Sequence, residues 1–141
     1  MIRRRSSPFL SLVLVLLAVG CGRPVDNLTS SKVSQLRHEA ELLVRKYEDQ
    51  GRQSWKKKDL SDDTPVIASL KPNYVSVTPF VSGTNTIGYQ VAVRIRGGFS
   101  HEGLLIVVGD DVRLAEVSLS EGKTQGWANQ KIGDRVFKYA E

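Results

Sequence analysis

His38, His101 and Cys21 supply every imidazole and thiol in this 141-residue chain, so any nucleophilic or soft-metal chemistry starts from them. A nucleophile needs a base within hydrogen-bond reach, and a metal needs several ligands converging on one point. His101 is followed by Glu102 in a stretch bracketed by Gly97, Gly98 and Gly103, where a loop would display binding groups. One imidazole and one carboxylate fall short of a hydrolytic zinc set, and no HExxH pattern occurs. His38 stands beside Glu39 and Glu41 and reads as a surface residue of a helix. Asp110 and Asp111 lack the further oxygen ligands at alternate positions that a calcium loop needs. The glycines around His101 lead into a strand pattern instead of a helix N-terminus, so they form no phosphate cradle. Phe99, His101 and Glu102, with Trp127 further on, are therefore the candidate binding residues. No catalytic residue, metal ligand or cofactor is assigned.

Cys21 has a different context. Arg3, Arg4 and Arg5 are followed by Ser6, Ser7 and Pro8, and then by an apolar run over 9–19 broken only by Ser11. Charge, then apolar residues, then small residues is the order of a secretory signal. The run is too short for a bilayer, which takes about 20 apolar residues. At its end Ala18, Val19, Gly20 and Cys21 resemble the lipobox of bacterial prolipoproteins, with Ala18 where leucine is usual. The resemblance covers residues 1–21 only. It implies cleavage between Gly20 and Cys21, a diacylglyceryl group on the Cys21 thiol, and often acylation of the new amino group. Gly22 stands where aspartate marks inner-membrane retention in part of that class, which points to the outer membrane in an envelope that has one. One acyl chain holds a protein only marginally, whereas two or three anchor it stably.

Removing residues 1–20 leaves 121 residues, enough for one domain with a core. It also takes away three arginines and no acid, so the formal net charge falls from +5 to +2. That is far from the basic footprint of a nucleic-acid-binding domain. The expected organisation is a signal peptide over 1–20, the lipidated cysteine with a tether over 21–28, and a single domain over 29–141.

Within that domain Thr29, Ser30 and Ser31 offer N-cap oxygens. Val33, Leu36, Ala40, Leu43 and Tyr47 then recur at steps of three and four, predicting a helix with one buried face that ends near Gly51. Trp55 with Lys56, Lys57 and Lys58 has the makings of a basic aromatic patch for anionic headgroups. Asp59, Asp62 and Asp63 follow at once, and the expected form is a solvated connector whose charges cancel. Thr64 and Pro65 open a short helical turn through Leu70. Residues 73–81 alternate as a strand, and the clearest alternation follows: Ile87, Tyr89, Val91, Val93 and Ile95 inward, Gln90, Arg94 and Arg96 outward. The unbroken apolar run over 104–108 suits a central strand. From Val112 to Leu119 the apolar parity shifts, which reads as a bulged strand or a strand end. Residues 120–133 read as a polar loop, with Trp127 as a lid over the sheet edge, and 134–139 as a last strand.

The expected fold is α+β, a long N-terminal helix packed on an antiparallel sheet of four to five strands. The expected function is that of a lipid-anchored envelope protein, non-catalytic, binding an envelope protein or glycan or aiding assembly. The alternative is a small envelope hydrolase or metal-dependent enzyme using His101 and Glu102.

Overall fold

The computed structural model describes residues 24–60, 62–96, 102–124 and 126–140. It opens with a 3-10 turn at Pro24–Asn27, then α1 (Ser30–Gln50), β1 (Ser54–Lys56), a second 3-10 turn at Lys57–Asp59, and α2 (Pro65–Ser69). β2 (Tyr74–Ser82), β3 (Asn85–Arg96), β4 (Glu102–Val108) and α3 (Arg113–Glu121) follow. Four short strands end the chain: β5 (Lys123–Thr124), β6 (Trp127–Ala128), β7 (Gln130–Gly133) and β8 (Val136–Ala140). The fold is α+β, a six-stranded antiparallel sheet in the order β1-β2-β3-β4-β8-β7 with a separate β5-β6 ribbon.

α1 forms for the reasons its sequence gives. The Thr29 hydroxyl accepts from the Lys32 N–H at 3.3 Å, and at the other end Gly51 takes a left-handed φ of 67° and donates its N–H to the Tyr47 carbonyl at 2.8 Å. A left-handed C-cap favours glycine because a Cβ is strained there. The stripe Val33, Leu36, Ala40, Leu43 and Val44 is buried against the inward residues of the sheet, Val75, Val77, Val91, Val93, Leu104 and Ile106. Each large apolar side chain fully buried there contributes on the order of 1.5–3 kcal/mol. α2 rests on the same side. Its first turn is capped by Glu39 of α1, whose buried carboxylate accepts from the Val66 and Ile67 N–H groups at 2.8 and 2.7 Å.

The opposite face of the sheet is covered by α3. Val112, Ala115 and Leu119 pack there with Leu105, Val107, Phe137 and Tyr139. β4 thus carries Leu104 and Ile106 to one side and Leu105 and Val107 to the other, which is why its sequence is an unbroken apolar run.

Several expectations are corrected. Residues 113–121 are a helix, because the buried positions Val112, Ala115 and Leu119 step by three and four while Leu114 is 70% exposed and Val117 46%. The polar stretch over 120–133 is not a loop: it holds β5, β6 and β7. The stretch around Trp55 is no solvated connector, since β1 pairs with β2 and Trp55 is 2% exposed in the α1-side core. Within the expected tether, Val25 is 3% exposed in that core and Leu28 packs against it. The sheet has six strands, not four or five, the additions being the edges β1 and β7.

Candidate functional site

The expected binding loop does not assemble as one site. Phe99 and His101 lie outside the described residues, as do Gly20 and Cys21. Glu102 is the first residue of β4 and is 1% exposed; its Oε1 accepts from the Val25 N–H at 3.4 Å. Its role here is to fasten the N-terminal segment to the end of the sheet. Trp127 is half-buried and packs with the α3-side cluster, on the other face from Glu102. His38 is exposed on a cleft of about 570 Å³ between α1 and α2, which Asp62, Leu42 and Val66 also line. Among the described residues no three of His, Cys, Asp and Glu converge as metal ligands.

Strand register brings together a different set. Lys56 pairs with Tyr74, Tyr74 with Arg94, Arg94 with Gly103 and Gly103 with Tyr139, one row crossing five strands. Side chains in one row of an antiparallel sheet share a face, and Tyr139 places this row on the α3 side. The Arg94 guanidinium lies 4.7 Å from the centre of the Tyr74 ring and is hydrogen-bonded to the Tyr139 hydroxyl. Gly103 makes room for this: a Cβ there would run into the Tyr139 ring. Burial pushes the Tyr139 hydroxyl above the usual tyrosine pKa, and the hydrogen bond from Arg94 opposes that rise. Guanidinium over an aromatic face is held by cation–π attraction and keeps its planar fork for other acceptors. Arg94 as a whole is half-buried.

α3 covers β4 and β8 but leaves the β2–β3 half of this face open. Ser76, Gln90 and Ala92 are half-buried there and Thr78 is exposed, while Phe80 and Ala92 lean on the α3-side cluster. The result is a firm surface with an oriented cation, the Tyr74 ring and small polar groups, backed by the buried Tyr139. It suits an anionic or carbohydrate ligand better than an apolar one. Alternation alone put Arg94 outward; the aromatic partners became visible only through the register.

The charges beside this row are sorted in a way the sequence conceals. Asp59 is taken up by the Arg52 guanidinium at 3.3 Å and by the Lys56 backbone N–H at 3.0 Å. Asp63 is paired with Lys46 of α1 at 3.0 Å, and Asp62 faces the α1–α2 cleft. Lys56, Lys57 and Lys58 are all exposed, and so is Lys71. A contrasting acidic corner lies at the far end of the sheet, where Glu48 accepts from the Tyr89 hydroxyl at 2.9 Å near Asp110 and Asp111.

Among the described residues no helix is long and apolar enough to cross a membrane. No family model, curated protein or solved structure matches the chain.

Proposed function

We propose that the chain is a lipid-anchored cell-envelope protein that acts by binding and not by catalysis, with the open β2–β3 half of the sheet as its binding surface. The observation that carries the binding assignment is Arg94, held in place by the Tyr74 ring and the Tyr139 hydroxyl beside the β2–β3 half of the sheet that α3 leaves open. A cation fixed in advance loses less side-chain entropy on meeting a carboxylate, phosphate or sugar hydroxyl. The anchor rests on the resemblance around Cys21, and the partner is an envelope protein or glycan. The hydrolytic alternative loses support because the Glu102 carboxylate it needs is enclosed and accepts from the Val25 backbone.

Two readouts test the two halves of this reading. Intact mass of the protein from the membrane fraction should equal the chain from Cys21 onward plus acyl groups; a bare mass in the soluble fraction would remove the anchor. A photo-crosslinking residue in place of Thr78 should give a discrete adduct in growing cells that Arg94→Ala abolishes, while one in place of Asp49 on α1 should not. Equal or absent adducts from both positions would sink the binding-face assignment.

A further inference from the structure

The end of the sheet that carries the basic row is also the end to which the N-terminal segment is fastened. Val25 is buried and tied to Glu102, and Glu102 sits in register with Arg96 and Ala140, one step beyond the row of Lys56, Tyr74, Arg94, Gly103 and Tyr139. Only four peptide units separate Cys21 from Val25. At about 3.5 Å per residue they reach at most roughly 14 Å. β1 runs toward this end, so Lys57 and Lys58 leave the sheet just past Lys56. Lys56 lies three strand spacings from Gly103, about 14 Å across the sheet.

We infer that this basic end, formed by Lys56, Lys57, Lys58 and Lys71, docks on the anionic headgroups of the membrane in which the Cys21 acyl chains sit. The inference rests on the proposed acylation of Cys21 and adds a second, electrostatic attachment to it. Its warrant is the position of the charges. The carboxylates on this end already have cationic or buried partners: Asp59, held against the Lys56 N–H, pairs with Arg52, Asp26 pairs with Lys138 at 2.8 Å, and Glu102 is buried against Val25. Asp59 stays against the lysine run, but Arg52 offsets it and Lys46 offsets Asp63, so the run keeps a net positive charge. A tether of four peptide units brings the sheet end near the headgroups, while charges on the far side remain beyond a Debye length of about 8 Å at physiological salt. Each lysine near an anionic surface adds about a fivefold preference for contact. Docking also sets orientation: the row approaches the membrane edge-on, and the open β2–β3 face stands up from it, accessible from the side.

The test uses the full protein purified from membranes and reconstituted into neutral vesicles or vesicles containing an anionic phospholipid. A brief amine-acylating pulse is read by mass spectrometry at each lysine, with Lys46 on α1 as reference. Labelling of Lys57 and Lys58 should fall at least about fivefold on the anionic vesicles relative to the neutral ones, and should recover in high salt. The exposed pair Lys57→Glu with Lys58→Glu should return Lys56 and Lys71 to their neutral-vesicle labelling without lowering the melting temperature. Equal labelling on the two kinds of vesicle overturns the inference. So does protection that appears without vesicles as protein concentration rises, which would assign the patch to a second copy of the chain. Intact mass separates this from the anchor. If Cys21 carries no acyl group, the anchor fails, and the same pulse on the unacylated chain with saturating anionic vesicles still decides the patch.

Discussion

The two faces of the sheet are closed to different extents, and the difference separates what holds the protein together from what is free to bind. On one side α1, α2 and the segment from Val25 cover the sheet, and the core runs from Trp55 on the edge strand to Val136 on β8. On the other, α3 seals β4 and β8 while β2 and β3 keep half-buried polar and aromatic side chains. The closed face buys stability with ordinary apolar burial. The open face has little apolar surface left to bury, and its order comes from a guanidinium, a phenol and a glycine fitted to one another. Damage to the two should therefore differ in size and in kind.

The largest effect belongs to the closed face. Trp55→Ala removes a large side chain that is 2% exposed, from a strand of three residues with a single neighbour. Truncations of this kind cost about 3–5 kcal/mol, against a net stability of about 5–15 kcal/mol for a domain. Chemical denaturation should show that loss, and hydrogen exchange should show β1 opening first. A loss below about 1 kcal/mol would mean that the edge strand is not part of the cooperative core.

Where the sealed half of that face meets the open one, Gly103→Ala should cost about 1–3 kcal/mol, because the new methyl meets the Tyr139 ring and the core resists overpacking. The double variant with Tyr139→Ala should recover part of that cost, since the obstacle is gone. Additive losses in the double-mutant cycle would show that the glycine serves the backbone and not the ring.

How much of this was legible in sequence depended on whether the signal was local. Thr29, the stripe from Val33 to Tyr47, and Gly51 all act within one helix, and α1 matches its reading from cap to cap. β3 and β4 were equally plain, one by alternation and the other by an apolar run buried on both faces. α3 was misread because Leu114 and Val117 are exposed apolar residues, and counting them as inward hid the step from Val112 to Ala115 to Leu119. β1 was missed because three residues carry no periodicity, and the lysines after Trp55 outweighed the tryptophan itself. Glu39 sits one position before Ala40 on the buried stripe, so its burial was readable, but its partners on α2 were not. The row from Lys56 to Tyr139 is wholly a product of register, which no single strand encodes. The same is true of the ion pairs by which Arg52 and Lys46 offset Asp59 and Asp63.

The smallest effect is also the one that probes the open face most selectively. Tyr139→Phe deletes a hydroxyl that is buried and hydrogen-bonded to Arg94, a loss of about 1 kcal/mol near neutral pH. Burial holds the Tyr139 pKa above that of an unfolded tyrosine, near 10. As pH rises past about 10 the unfolded chain gives up this proton before the folded one does, so the folded state binds more protons and stability falls with pH. The contribution tied to Tyr139 is therefore full below about pH 10 and is lost as pH climbs to the folded value. Phenylalanine has no proton to lose. The stability gap between the native chain and Tyr139→Phe should accordingly narrow above pH 10, while the titrations shared by both chains cancel in the comparison. Tyr89 supplies the contrast, since its pKa is raised mainly by its hydrogen bond to Glu48 at the acidic corner, with Arg94 playing no part. If the gap stays constant with pH, the Tyr139 hydroxyl is not held neutral by the core, and Arg94 is then positioned by the Tyr74 ring alone.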